Sequence, residues 1–262
     1  AGSGDRAAGK RPFCVIANAG TTNTGAVDPL PALADFCQEH DLWLHVDGAY
    51  GAAAVICDEG RTALRGIDRA DSLVLDPHKW LFQPFECGCV LVRERGWLAD
   101  TFRMTPDYLQ DAHRKEPETN FCDWGLQLTR SARALKLWMS IKVFGLAAFR
   151  DAVQQGFEQA RFAERCLRSA NCWEIVTPAQ MGIVSFRYAP IDATTDVVDA
   201  VNDRLVAAVF DDGYAMISST QLHGRTVLRM CPINPRTSED DIISSIDQIG
   251  RLARDLQGSD RK

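Results

Sequence analysis

Three short apolar runs, each followed at once by small or polar residues, constrain the fold of this chain most. They cover residues 13–17 (FCVIA), 42–46 (LWLHV) and 73–75 (LVL). Short apolar runs bounded by turn residues are typical of strands buried in a sheet. If these strands are parallel, their polar carboxyl ends meet along one edge, where open α/β sheets bind ligands.

A helix is predicted between the first two runs. Asp28 is the expected N-cap of this helix, and Pro29 is its expected first residue. Apolar residues then recur at helical spacing at Leu30, Leu33, Ala34 and Cys37. A strand–helix–strand unit implies a parallel pair with a right-handed crossover. The sequence therefore predicts an α/β fold with a doubly wound sheet.

The character of the sequence changes near residue 127. We assign residues 1–126 to the larger sheet domain, with a further strand at 88–92. We assign residues 127–262 to a smaller carboxyl-terminal α/β domain. Its expected strands cover residues 173–176, 183–188, 214–217 and 227–231, and its expected helices cover residues 132–149, 151–169, 195–210 and 239–256.

Two segments are expected to connect these domains. The helix at 132–149 has an apolar side, which we expect to be core and to pack the domains together. That side consists of Leu135, Trp138, Met139 and Val143. Residues 103–125 form a long polar stretch, which is typical of a mobile lid over a functional site.

Composition excludes several classes of partner. The net charge is −6, so nothing favours binding to nucleic acid or to an anionic membrane surface. No apolar run approaches the ~20 residues of a membrane-spanning helix. The nine cysteines show no zinc-like spacing, and most lie in apolar contexts. We expect no metal site and a reducing, cytoplasmic compartment.

Two charged residues at the expected strand ends indicate the chemistry. Asp47 follows the second run and precedes the small residues 48–52 (GAYGA), whereas Lys79 follows the third run. A lysine amine can form a Schiff base with a carbonyl compound. An acid can keep a pyridine nitrogen protonated, so that the ring accepts electrons. This pair suits pyridoxal 5'-phosphate as the cofactor.

Read together, four motifs resemble the group II pyridoxal-phosphate decarboxylases. These are residues 19–25 (AGTTNTG), 43–50 (WLHVDGAY), 76–80 (DPHKW) and 133–138 (RALKLW), in family order and spacing. The resemblance runs from residue 13 to the carboxyl terminus and is closest to the aromatic-amino-acid branch. It implies part of a fold type I transferase and decarboxylation of an aromatic or apolar L-amino acid to the amine.

The resemblance also implies roles for the catalytic residues. Lys79 would carry the cofactor as a Schiff base, and Asp47 would pair with its pyridine nitrogen. Ala49 would pack against one face of the ring. His78 would lie beside the Schiff base and the phosphate.

Four further positions have roles implied by the family. Thr22 would contact the polar substituents of the cofactor, and Ser72 would bind its phosphate. Phe85 would line the pocket for the substrate side chain. Arg133 would have a structural role near the base of the mobile loop.

The chain departs from the family pattern at two positions. Residue 76 is Asp where several members have Asn near the phosphate, so we do not assign phosphate binding to Asp76. The family loop also carries a tyrosine linked to protonation of the substrate Cα. Its counterpart here is Phe121, as in the aromatic aldehyde synthases of the family, although Tyr108 or His113 could substitute for it.

The family also has a long region upstream of these motifs. We therefore interpret the chain as the carboxyl-terminal half of an enzyme. We expect it to work with a second chain that carries the amino-terminal half, in a homodimer-like assembly of such pairs. Two alternatives stay open: an aldehyde-forming decarboxylation–oxidation, and a subunit that is not a catalyst by itself.

Overall fold

The first sheet is built from the strands that the apolar runs predict. The computed structural model describes residue 4 and residues 8–104 and 119–259. In the sheet, β1 and β2 are parallel, β2 and β3 are parallel, and β4 is antiparallel to β3. The strands are β1 (Cys14–Asn18), β2 (Trp43–Asp47), β3 (Ser72–Leu75) and β4 (Cys89–Val92).

Helices connect these strands. The crossover from β1 to β2 contains α1 (Leu30–His40), and the connection from β2 to β3 contains α2 (Asp58–Ala63). A 3-10 helix, Gly51–Ile56, follows the end of β2 directly. After β4, the short helix α3 (Trp97–Phe102) brings Trp97 against Trp43 at the start of β2.

The cap predicted for α1 is wrong in detail. Asp28 does not cap the helix, because its carboxylate accepts hydrogen bonds from the backbone and side-chain amides of Asn18 at 2.7 and 3.1 Å. The residue before the helix is Pro29, which makes no side-chain cap. Asp28 therefore holds the loop after β1 against the end of that strand.

A second four-stranded sheet lies in the carboxyl-terminal part of the chain, with the strand order β5-β6-β8-β7 and antiparallel pairing throughout. Its strands are β5 (Trp173–Gln180), β6 (Ile183–Tyr188), β7 (Ser218–Leu222) and β8 (Arg225–Met230). The strand predicted at 214–217 is wrong: Gly213 ends the preceding helix in a left-handed conformation, and β7 begins only at Ser218.

Three helices accompany this sheet. They are α4 (Ala134–Ser169), α5 (Thr195–Asp212) and α6 (Glu239–Ser259). The two helices predicted at 132–149 and 151–169 are present as the two halves of α4, which the non-helical residue Gly145 (φ 78°, ψ 154°) separates. The bend lies at Gly145 because glycine alone adopts this conformation readily.

The two sheets share packing through the second half of α4, and not through residues 132–149 as expected. Val153 and Phe157 join the core beneath the first sheet, together with Ile183 of β6. Ala163 and Leu167 join the core of the second sheet. The predicted boundary at residue 127 stays a prediction.

Candidate active site

The carboxyl ends of β1, β2 and β3 lie side by side. Asn18 is paired with Asp47, and Asp47 is paired with Val74. The residues that follow the three strands therefore emerge at the same edge of the sheet. Those residues are the Gly-Thr-Thr loop after β1, the small residues after β2 and the lysine turn after β3.

Backbone hydrogen bonds join the loop after β2 to the turn after β3. The Gly48 amide donates to the Val74 carbonyl at 3.0 Å, and the Asp76 amide donates to the Ala49 carbonyl at 2.9 Å. The Ala49 amide in turn donates to Oδ1 of Asp47 at 3.1 Å. Asp47 thus has its exposed carboxylate oriented by the same loop that carries Ala49, next to the lysine turn.

The lysine turn orients Lys79 toward Asp76. The Lys79 amide donates to the Asp76 carbonyl at 2.9 Å, which closes the turn. Nζ of Lys79 lies 2.9 Å from Oδ2 of Asp76, and the Lys79 side chain is 36% exposed. The amine therefore remains accessible at the edge of the sheet, with one carboxylate beside it.

Trp80 anchors the turn in the protein interior. Its indole is fully buried and stacks on Tyr50, with ring centroids 4.9 Å apart. The Tyr50 hydroxyl donates to the Met181 carbonyl at 2.7 Å, and burial raises the pKa of Tyr50 well above its usual value. Phe157 of α4 also packs against Trp80, with ring centroids 5.2 Å apart. Both regions of the chain therefore hold the residue that follows Lys79.

His78 is held by the backbone of Cys87. Its Nδ1 lies 2.9 Å from the Cys87 carbonyl oxygen and 3.2 Å from the Cys87 nitrogen, so either neutral tautomer has a partner. The rings of Phe85 and His78 pack edge to face, with their centroids 5.2 Å apart, and Phe85 is 85% exposed. An apolar surface thus lies beside His78 and close to the lysine turn.

The beginning of α4 fixes the segment that follows this turn. Arg133 forms an ion pair with Glu86, with Nε and Oε1 2.6 Å apart. Lys136 donates to the carbonyls of Pro84 and Glu86 at 2.8 and 2.7 Å. These contacts agree with a structural role for Arg133, whereas no local pattern indicates the contacts of Lys136.

The Gly-Thr-Thr loop is organised by Thr21 rather than Thr22. The Thr21 hydroxyl accepts from the Ala26 amide at 3.1 Å and lies 3.2 Å from the Thr24 hydroxyl. Thr22 is exposed next to the end of β1. Arg229 of β8 donates to the Asn23 carbonyl at 2.7 Å, a contact between distant parts of the sequence that no local pattern indicates.

Small residues let these loops lie close together. A Cβ atom on Gly51 would lie only 2.2 Å from the Ala19 carbonyl oxygen, and one on Gly20 would lie 2.8 Å from Cα of Gly51. Neither contact is possible for a larger residue. The glycines after β1 and β2 are thus required because the two loops lie so close together. This requirement is separate from any need to leave space for a ligand.

Ser72 is not at this edge of the sheet. It begins β3, where its Oγ accepts from Trp43 Nε1 at 2.8 Å and lies 2.7 Å from His45 Nδ1. The expected role of Ser72 in phosphate binding therefore disagrees with its position, because Asp47 and the lysine turn lie at the other ends of the strands. We do not carry Ser72 into the functional proposal.

Among the described residues, Phe121 is not brought into contact with Lys79. The ring of Phe121 packs edge to face against Trp124, with ring centroids 5.6 Å apart. Trp124 lines a cavity of about 540 Å³ together with Trp43 and Ser72, which lie at the starts of β2 and β3. Tyr108 and His113 lie outside the described residues.

The grouped residues fit the cofactor that the sequence indicates. An accessible primary amine, an exposed carboxylate and a small alanine lie on adjoining loops. These are the groups needed to bind an aldehyde, to hold a proton on a ring nitrogen and to leave space for a flat ring. The carboxylate of Asp76 contacts Lys79, so it is engaged elsewhere than at a phosphate.

Comparison with known proteins identifies the family. Residues 3–189 match the pyridoxal-dependent decarboxylase conserved domain, and the chain belongs to this family, whose cofactor is pyridoxal 5'-phosphate. The chain is 52% identical to aromatic-L-amino-acid decarboxylase of Bacillus atrophaeus over 96% of its own length and 53% of that protein.

Two further comparisons bear on fold and chemistry. The crystal structure of Oryza sativa TDC with PLP and tryptamine matches with a TM-score of 0.89 and 31% identity, over 97% of this chain and 53% of that one. The fold is therefore that of fold type I PLP decarboxylases. Phenylacetaldehyde synthase of a Rosa hybrid cultivar is 33% identical, over 91% of this chain and 48% of that protein.

The chain spans about half the length of the curated relatives it matches. Within the part of the chain that the structure describes, no helix is long and apolar enough to cross a membrane. Among the same residues, no group of three or more potential metal ligands is present.

Proposed function

We propose that this chain supplies the lysine half of an active site for decarboxylation of an aromatic or apolar L-amino acid to the amine. The observation that carries the proposal is the hydrogen-bonded junction between the loop of Asp47 and the turn of Lys79. The 52% identity to an aromatic-L-amino-acid decarboxylase supports the substrate class.

The bound cofactor supplies an electron-accepting ring for the electron pair left when the carboxylate departs from Cα. Lys79 provides the amine for the Schiff base. Asp47 holds a proton on the ring nitrogen, and the Ala49 amide orients its carboxylate. Ala49 lets the ring lie against the loop. Thr22 lies exposed beside the end of β1, in reach of the polar groups of a ligand at this edge.

Selection of the bond to be broken depends on orientation. The site residues would have to orient the substrate so that its Cα–carboxylate bond, rather than Cα–H, is the bond that breaks. His78 is positioned by Cys87, and Phe85 presents an exposed apolar ring beside it. We assign to His78 the contact with the Schiff base region and to Phe85 the contact with an apolar substrate side chain.

The role of Lys79 is tested by borohydride reduction followed by peptide mass spectrometry. We expect a reduced pyridoxyl adduct on Lys79 and none in K79R. The matched control is K142R, which alters an exposed lysine over the ring of Trp138. An adduct on another lysine of the wild-type protein, or none, would overturn the proposal.

The role of Asp47 is tested by D47N. The adduct on Lys79 should persist, while kcat falls by about 10²–10³-fold, because the neutral amide cannot stabilise the proton on the ring nitrogen. An unchanged kcat would exclude Asp47 from this role. The two variants together separate attachment of the cofactor from its activation.

We also propose that this half-site works with a polypeptide equivalent to the rest of the relatives' length, in a homodimer-like assembly. The first half of α4 carries five apolar side chains that are each more than half exposed: Leu135, Trp138, Met139, Val143 and Phe144. Apolar patches of this kind are typical of interaction surfaces. Analytical ultracentrifugation of the chain purified from its source tests this. A fully active 29.0 kDa monomer would contradict it.

A second candidate function is aldehyde-forming decarboxylation with oxygen. Phe121 at the loop position of the family tyrosine and the match to phenylacetaldehyde synthase favour it. Ammonia and peroxide produced with the aldehyde would establish this reaction, whereas amine as the only product would exclude it. F121Y should then shift the product from aldehyde toward amine.

A further inference from the structure

Asp76 differs from the other carboxylates near the site because it contacts the reacting amine itself. Its Oδ2 lies 2.9 Å from Nζ of Lys79, and its side chain is only 20% exposed. Glu86, in the same loop region, is instead paired with Arg133 and is half exposed. The turn thus contains two carboxylates with different partners, and only that of Asp76 is directed to Lys79.

The backbone holds Asp76 at both ends. Its amide donates to the Ala49 carbonyl, and its carbonyl accepts from the Lys79 amide, each at 2.9 Å. Gly88 leaves space for the carboxylate, since a Cβ atom there would lie 3.3 Å from Oδ1. Among the described residues, the hydrogen bonds that close this turn use backbone carbonyls, so the carboxylate is not needed as a turn cap.

The charge that Asp76 faces persists when the cofactor is attached. The ammonium of Lys79 and the cofactor aldehyde together give a protonated Schiff base and one water molecule. The C–N double bond forms, the carbonyl oxygen leaves as water with two of the three ammonium protons, and the positive charge stays on the same nitrogen. A carboxylate that pairs with the free amine can therefore pair with the linked nitrogen.

We propose that Asp76 is a positioning residue that keeps the Lys79–cofactor Schiff base protonated and held toward the loop of Ala49. This inference rests on the proposed role of Lys79 and deepens it. An opposite charge within about 4 Å favours the cationic form of a group by one to three pH units. The distance of 2.9 Å between Nζ of Lys79 and Oδ2 of Asp76 lies within that limit, and both side chains are partly exposed.

The test is the pH dependence of the visible absorbance of the cofactor-loaded protein, assembled with any polypeptide that it requires. For D76N we expect the midpoint of the spectral change to fall by about one pH unit, a tenfold change in proton affinity. D76S, which is also neutral but smaller, should shift in the same direction and serves if D76N does not fold.

The matched control is E86Q, which removes a carboxylate from the same segment without touching Lys79. We expect its midpoint to stay within about 0.3 units of the wild type, because the Glu86 carboxylate is paired with Arg133 and is half exposed, so that solvent and salt screen its charge. Equal midpoints in wild type, D76N and D76S, or equal shifts in D76N and E86Q, would overturn the inference.

Borohydride reduction separates the role of Asp76 from the role of Lys79. An adduct on Lys79 in all variants, with unchanged midpoints, overturns only the role of Asp76. No adduct on Lys79 in the wild type overturns the proposed function itself. A retained adduct with a lowered midpoint in D76N supports both.

Discussion

The two halves of α4 have similar apolar patterns but opposite environments. Before Gly145, Leu135, Trp138 and Val143 are more than half exposed. After it, Phe157, Leu167 and the residues between them on the same face are buried against one sheet or the other. An apolar stripe indicates that one face of a helix is suited to burial. It does not indicate which polypeptide covers that face.

The comparison also separates two kinds of contribution. The buried half stabilises the described fold, because it bridges the cores under both sheets. The exposed half contributes polar contacts to the site segment through Arg133 and Lys136 at its beginning, while its apolar face is not covered by the described residues. Three experiments address this difference.

The largest effect is expected for Phe157→Ala. Phe157 is 4% exposed and packs on Trp80, so its truncation leaves a cavity next to the residue that anchors Lys79. We expect the free energy of unfolding of the chain to fall by about 3–5 kcal/mol in urea denaturation. Trp138→Ala is the control and should change it by less than about 0.5 kcal/mol, since Trp138 is 58% exposed. Equal losses of stability in the two variants would show that the two halves of α4 do not differ in their contribution to the fold.

A smaller effect is expected at the bend between the halves. Gly145→Ala places a side chain at φ 78° and ψ 154°, at a cost of about 1–3 kcal/mol measured by thermal unfolding. Gly250→Ala in α6 is the control, because a Cβ atom there meets neighbours no closer than 3.5 Å. It should raise stability by about 0.5–1 kcal/mol. A stable, more helical G145A would mean that the rest of the chain does not hold the bend.

The smallest effect on stability is expected at the beginning of α6. This helix packs with the buried half of α4 in the core of the second sheet. Hydrogen bonds from the backbone amide and hydroxyl of Ser238 lower the pKa of Asp241. A lowered pKa in the folded state means that this stability is present above the unfolded-state value and is lost as the pH falls through the folded-state value.

D241N should therefore be less stable than the wild type near neutral pH, and the difference should disappear in acid. Acid and neutral urea titrations measure it. D247N, which alters an exposed aspartate of the same helix beyond its first turn, should match the wild type at both pH values. A difference between D241N and wild type that persists in acid would show that the carboxylate charge is not its cause.

Several parts of this protein were open to prediction from local sequence. The parallel sheet followed from the apolar runs and the helix between them, and the register then placed Asp47 next to the lysine turn. Other expectations failed because they depended on neighbours in space. Asp28 binds Asn18 rather than capping α1, and the apolar side of residues 132–149 is exposed rather than buried.

The sequence by itself determined which residue types stand at the strand ends, because strand periodicity and turn residues act within a few positions. The tertiary structure decided how those residues are held. Asp76 faces Lys79 because the turn is closed by backbone hydrogen bonds and tied to Ala49. Trp80 is buried in contact with both Tyr50 and Phe157, which are distant in sequence. Such contacts depend on the packing of separate elements, which no local pattern specifies.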